Sequence, residues 1–118
     1  MAERLLYFHQ PSTPQTATFS TPDIPFDEDS LLVEVNVTAI SGTPSMVVTV
    51  EGRDEDGAYF VLYTSGAITT VSKLAASIGE GMTNAAALPA HIRLTFTISG
   101  GTPSLTFTVS AYGGRVGQ

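Results

Sequence analysis

Apolar and polar residues alternate with a period of two over most of this chain, in segments rich in Val, Thr, Ile, Phe and Tyr. That period places successive side chains on opposite faces of a strand, and these residue types suit a half-buried pleated surface. The clearest run is Leu31 to Ile40, where Leu31, Val33, Val35 and Val37 share one face and Glu34, Asn36 and Thr38 take the other. After Ser41-Gly42-Thr43-Pro44-Ser45 the alternation resumes with Met46, Val48 and Val50 inward and Val47, Thr49 and Glu51 outward. This reads as a hairpin with Pro44 in its loop, because proline has no N–H to give a ladder. The run Arg53-Asp54-Glu55-Asp56-Gly57 reads as a tight turn in which Gly57 supplies a positive φ, and a strand from Ala58 to Tyr63 follows. Towards the C-terminus Ile92, Leu94, Phe96 and Ile98 share a face, as do Leu105, Phe107 and Val109 on the strand expected to be their hairpin partner.

Helical periodicity is nearly absent. The stretch from Ile78 to Pro89, broken by Gly79, Gly81, Asn84 and Pro89, reads as a long connection in which Ala85 to Leu88 could form one helical turn. The first 30 residues hold two short candidate strands, Arg4 to His9 and Thr16 to Ser20, set among Pro11, Pro14, Pro22 and Pro25. They are expected to form an arm weakly tied to the core. The fold expected is therefore all-β: a two-sheet antiparallel β-sandwich, jelly-roll-like, over residues 31–118, preceded by an N-terminal arm over residues 1–30. The outward positions Arg93, Thr95, Thr97, Thr106 and Thr108 carry little charge, so that face is either solvated or meets a neighbour.

Composition fits one domain. The 118 residues suffice for a single core, and 42% apolar against 14% charged residues is a balance that folds rather than stays disordered. With no cysteine, neither disulfides nor thiolate metal sites contribute. Eleven Asp and Glu against five Lys and Arg would repel phosphate backbones, and Arg4, Arg53, Lys73, Arg93 and Arg115 do not cluster, so nucleic acid is not an expected partner. No apolar run approaches the roughly 18 residues of a membrane helix, and no secretory pattern opens the chain, so no membrane association or export is expected.

Candidate chemistry is thin. Asp54-Glu55-Asp56-Gly57 begins like a calcium loop but lacks the later oxygen ligands and the Glu at the twelfth position, so an acidic turn is expected and no metal site. Asp27, Glu28 and Asp29 read as solvated charge ahead of a strand. His9 and His91 are the chain's imidazoles, and no Gly-x-Ser-x-Gly elbow accompanies them, so no catalytic residue is assigned and no enzyme is expected. Gly100-Gly101 and Gly113-Gly114 precede no helix, which removes the phosphate-cradling geometry and with it any expected cofactor. Tyr7, Phe8, Tyr59, Phe60, Tyr63 and Tyr112 could stack on sugar, the basis of an alternative reading as a carbohydrate-binding β-sandwich module; core or interface packing is the competing use, and tryptophan is absent.

One loop occurs twice. Ile40-Ser41-Gly42-Thr43-Pro44-Ser45-Met46 reappears, with one glycine added, as Ile98-Ser99-Gly100-Gly101-Thr102-Pro103-Ser104-Leu105. Two copies do not make a solenoid or propeller. Either two hairpins use similar turn residues, or both loops lie at one end of the sandwich and form a shared contact surface.

The string Ser41-Gly42-Thr43-Pro44-Ser45, followed by Val48-Thr49-Val50-Glu51-Gly52-Arg53-Asp54, Asp56-Gly57 and the aromatic strand Tyr59 to Thr64, resembles small head proteins of tailed bacteriophages. The late second hairpin, with Leu88-Pro89 ahead of Ile92 to Ile98, fits the same layout, and the resemblance spans about Leu31 to Tyr112. It implies a capsid decoration or head-stabilising protein: a non-enzymatic virion component on the outer surface of the capsid, bound to the major capsid protein, self-associating as a trimer rather than a dimer. A tail or baseplate component of the same virion is an alternative. Residues 1–30 match no part of that pattern. Contact residues expected from exposure and chain position are Arg4, Leu5, Leu6, Tyr7 and Phe8 in the arm, which either add a strand to their own sheet or reach a neighbour, and Thr43, Pro44, Thr102 and Pro103 in the repeated loops.

Overall fold

The computed structural model describes residues 14–26, 30–79 and 89–114, and residues 2–9 and 115 in backbone. Among them there is no helix, and every strand pairing is antiparallel. The strands are β1 (Ala2–His9), β2 (Phe19–Ser20), β3 (Ile24–Pro25), β4 (Ser30–Arg53), β5 (Tyr59–Thr64), β6 (Ser72–Gly79) and β7 (His91–Arg115). They form one hydrogen-bonded sheet in the order β1-β7-β4-β5, with β2 and β3 on β7 and β6 on β4.

Neither expected loop hairpin forms. β4 runs unbroken through Ser41 to Ser45 and β7 through Ser99 to Ser104, and the two pair with each other from Ser30 opposite Gly114 to Gly52 opposite Ile92. The physical reason is that alternation specifies which face a side chain takes and leaves the partner strand open. Pairing the long strands keeps even the corner residues on the ladder: Thr43 stands opposite Gly101 and Pro44 opposite Gly100, beside a register shift between Ser41 and Thr43. Pro44 is thus a buried strand residue at an irregularity and no loop residue. The turn after Arg53 does form, with Asp54 accepting from Gly57 N at 3.1 Å, and Gly57 at φ +88°.

The ribbon of β4 and β7 cannot be straight. At about 3.3 Å per residue a strand of 24 residues would outrun the longest dimension of the protein, 43 Å, nearly twofold. It folds over at the corner, where Gly42 (φ +77°) and Gly100 (φ +110°) hold a backbone conformation closed to ordinary residues. A Cβ at Gly42 would lie 2.1 Å from Thr102 O, and one at Gly100 would lie 2.1 Å from Thr43 O, so each strand crosses the other's backbone where glycine leaves room. Thr102 is held at φ +42°, an uncommon state for a β-branched residue. Folding brings Phe96 and Phe107 together with ring centroids 5.5 Å apart, although 11 residues separate them on one strand.

The sheet curls around one core. Leu31, Val33, Val35 and Val37 meet Met46, Val48 and Val50, together with Ile92, Leu94, Phe96 and Ile98 and with Leu105, Phe107, Val109 and Ala111. The inward sets read from alternation are therefore all buried. Residues 14–26, expected to be weakly tied, are stitched to β7 along their length: Gln15 exchanges two backbone bonds with Leu105, and Thr18 Oγ1 accepts from Ile98 N at 3.0 Å. Phe19 stacks on Phe96 at 4.9 Å, and Ile24 and Phe26 enter the core. Buried hydroxyls are bonded as burial demands: Ser65 Oγ accepts from Val48 N at 2.9 Å and Thr21 Oγ1 from Leu94 N at 3.0 Å.

Candidate functional site

Strand alternation that sends Val50, Ile92 and Leu94 inward sends Glu51, Arg53, His91, Arg93 and Thr95 outward on neighbouring strands. β5 adds Tyr59 opposite Arg53, and the loop between β2 and β3 adds Asp23. These side chains form one polar network on the outer face of this half of the sheet.

Asp23 is its centre. Tyr59 OH donates to Oδ1 at 2.9 Å, and Arg53 Nη1 donates to Oδ2 at 3.2 Å. His91 Nδ1 lies 2.7 Å from the same Oδ2 without the alignment of a hydrogen bond. The Arg93 guanidinium lies 3.6 Å from the centre of the Tyr59 ring, a cation–π contact, and Arg93 Nε donates to Glu51 Oε1 at 3.0 Å. Thr95 Oγ1 also donates to Glu51 and is within 2.8 Å of Ser20 Oγ. Burial of Glu51 acts to raise its pKa, but the hydrogen bonds from Arg93 and Thr95 and the charge of Arg93 together outweigh it and hold the carboxyl below its ordinary value.

Beside the network lies an open groove of about 420 Å³ lined by Arg53, Asp54, Glu55, Phe60, Pro89 and His91. Its floor depends on Gly52, where a Cβ would meet Pro89 Cγ at 2.6 Å and Phe60 Cζ at 2.9 Å. Arg53 Nε and His91 Nδ1 are buried here without a hydrogen-bond partner. β5 borders the groove as an edge strand. The register shifts between Val50 and Glu51; Leu62 and Tyr63 pack against the core, while Phe60 is 43% and Val61 61% exposed. Edge strands are ordinarily blunted by charge or proline; β6 carries Lys73 and β3 ends in Pro25, whereas Tyr59 to Thr64 has neither.

Both carboxylates are committed to cations and hydroxyls. Among the described residues no group of three or more His, Asp or Glu is placed to hold a metal ion. Asp54 Oδ1 caps its own turn, accepting from Asp56 N and Ala58 N at 2.9 Å each, and Asp27, Glu28 and Asp29 lie outside the described residues. Of the described aromatic candidates, Tyr59 carries Arg93 on its face and Tyr63 packs against the core.

Of the expected contact residues, Arg4, Leu5, Leu6, Tyr7 and Phe8 lie in β1, which pairs with β7 of its own chain: Arg4 opposite Gly113, Leu5 opposite Tyr112, Tyr7 opposite Ala111 and Phe8 opposite Ser110, with a register shift at Leu6. Their side chains, and that of His9 opposite Val109, lie outside the described residues. Thr43, Pro44, Thr102 and Pro103 are brought together at the folded corner, where Thr43 Oγ1 accepts from Gly101 N at 3.1 Å. The two groups do not share a site. The network around Asp23 was missed in the sequence. Outward alternation marks Glu51, Arg53, His91 and Arg93, but nothing local marks Asp23 as their partner across β7. No family model, no curated protein and no solved structure matches this chain.

Proposed function

We propose that this chain is a non-enzymatic virion protein that docks on the outer surface of a tailed-phage capsid and stabilises the lattice of major capsid protein. In this reading the curled sheet works as a two-layer, jelly-roll-like sandwich, the two halves of the β4–β7 ribbon serving as the centres of facing layers. The observation that carries it is β5, the edge strand that no other described strand pairs beyond, with Phe60 and Val61 exposed and no charge or proline among its six residues. Such an edge gains main-chain hydrogen bonds and apolar burial when another strand is laid against it, which makes a protein partner the natural one. The motif string from Ser41 to Thr64 adds the resemblance to head proteins. A ligand of the assembled shell stabilises it by its binding free energy, multiplied over many symmetric copies. Trimeric self-association would bury further edge.

The test is co-sedimentation with capsids that lack the protein. Saturable, stoichiometric binding is expected, and Val61→Lys should weaken it at least about tenfold, roughly 1.4 kcal/mol, without unfolding the chain. Absence of saturable binding by the natural sequence would overturn the capsid reading. Full binding by Val61→Lys would remove β5 from it, and retention on a polysaccharide column in place of capsids would favour a carbohydrate-binding module.

A further inference from the structure

The repeated loop has a mate in the hydrogen-bond register. Aligning the two copies equates Ile40 with Ile98 and Met46 with Leu105, and the ladder pairs Ile40 with Leu105 and Met46 with Ile98. Likewise Ser41 pairs with Ser104 and Ser45 with Ser99. Each copy's first residues thus meet the other's last, the reciprocity of a two-fold axis through the corner.

The same axis relates the strands that flank the ribbon. Gln15 exchanges two backbone bonds with Leu105, at 2.8 and 3.0 Å, and Ile68 exchanges two with Met46, at 2.8 and 3.0 Å. β6 lies on the first half of β4, Ser30 to Val37, as β2 and β3 lie on the first half of β7, His91 to Phe96. β5 lies on the last part of β4, Thr49 to Arg53, as β1 lies on the last part of β7, Val109 to Arg115. The mates also follow one another in the same chain order: β1, then the pair β2 and β3, then the long strand β4, as β5, then β6, then the long strand β7. A symmetric sheet order alone could arise in a meander. Preserved order, reciprocal register and a shared corner sequence together do not arise from strand pairing alone.

We infer that the chain is an internal duplication, in which residues 2–53 and 59–115 are two copies of one β unit and the β4–β7 ribbon is the interface between them. The partner each half fits is therefore a second copy of the same unit, joined to it by the turn at Asp54 to Ala58. This does not depend on the capsid reading. The corners differ by one residue, Gly101, which faces Thr43, so one copy carries the extra position and the other receives it.

Exchange of the corners in the full chain tests the axis. Deleting Gly101 gives both corners the shorter loop, inserting a glycine after Gly42 gives both the longer one, and doing both exchanges the loops between strands. Each single change is expected to lower the thermal midpoint by roughly 5–10 °C. The double change should return it to within about 3 °C of the natural chain, because it reproduces the same pairing with the strands' roles reversed. A double variant that melts at or below the lower of the two single variants would overturn the inference. Recovery remains readable even where a single change prevents folding.

Discussion

Across the ladder Glu51 faces Arg93 in one half of the molecule, and at the mated position of the other half Glu34 faces Ser110. Thr95 and Thr49 are matched in the same way by Asn36 and Thr108. The backbone treats the halves alike, yet one outer face carries Asp23, Glu51, Arg53, Tyr59, His91 and Arg93 in a bonded network, and the other carries a smaller groove of about 240 Å³ lined by Glu34, Asn36, Lys73, Thr108 and Ser110. The inward positions are constrained by a common core. The outward ones are not, and the bonded network lies on the half that also carries the edge strand β5.

The comparison breaks most severely in the shared core. Phe96→Ala and Phe107→Ala should each lower unfolding stability by about 3–5 kcal/mol. The double variant should lose less than their sum, because the rings pack at 5.5 Å across the fold of one strand. Denaturant titration reads both, and strict additivity would mean that the halves have separate cores.

Next come the corner glycines. Gly42→Ala and Gly100→Ala should each lose about 2–4 kcal/mol, from a positive φ and a methyl driven against a partner carbonyl, and the two losses should agree within about 1 kcal/mol.

The outer faces should respond unequally. Glu51→Gln is expected to lose about 1–2 kcal/mol near neutral pH, and Ser110→Ala, at the mated position, less than about 0.5 kcal/mol. Because the folded pKa of Glu51 is depressed, its stabilisation is present above the unfolded value near 4.3 and disappears as pH falls through the lower folded value. The gap between Glu51→Gln and the natural chain should therefore close in acid, as chemical denaturation at a series of pH values would reveal.

A small effect of opposite sign separates two mated threonines. Thr102→Gly should gain about 0.5–1 kcal/mol by relieving its positive φ. Thr43→Ala should lose about 0.5–1.5 kcal/mol with its hydrogen bonds to Gly101.

How much of this was legible follows from what alternation encodes. The faces of Leu31 to Val37, Met46 to Val50, Ile92 to Ile98 and Leu105 to Val109 were all readable, because burial imposes a period of two on each segment independently. Partners were not, since a hairpin and a long folded ribbon bury the same residues. The Gly-Thr-Pro-Ser loops carry turn chemistry because two paired strands must bend at one place, a cause that resembles a hairpin when each loop is read alone. Asp23 joins Arg53, 30 residues away, and Tyr59, 36 residues away, and no local pattern encodes a contact of that separation.

In the β1–β7 ladder Ala2 stands opposite Arg115, much as Arg53 stands opposite Tyr59 where the chain turns. Ala2 and Arg115 thus lie side by side on one rim of the sheet. A chain with Ala2 and Arg115 linked and the turn at Asp56 opened would run through the same ladders in a different order.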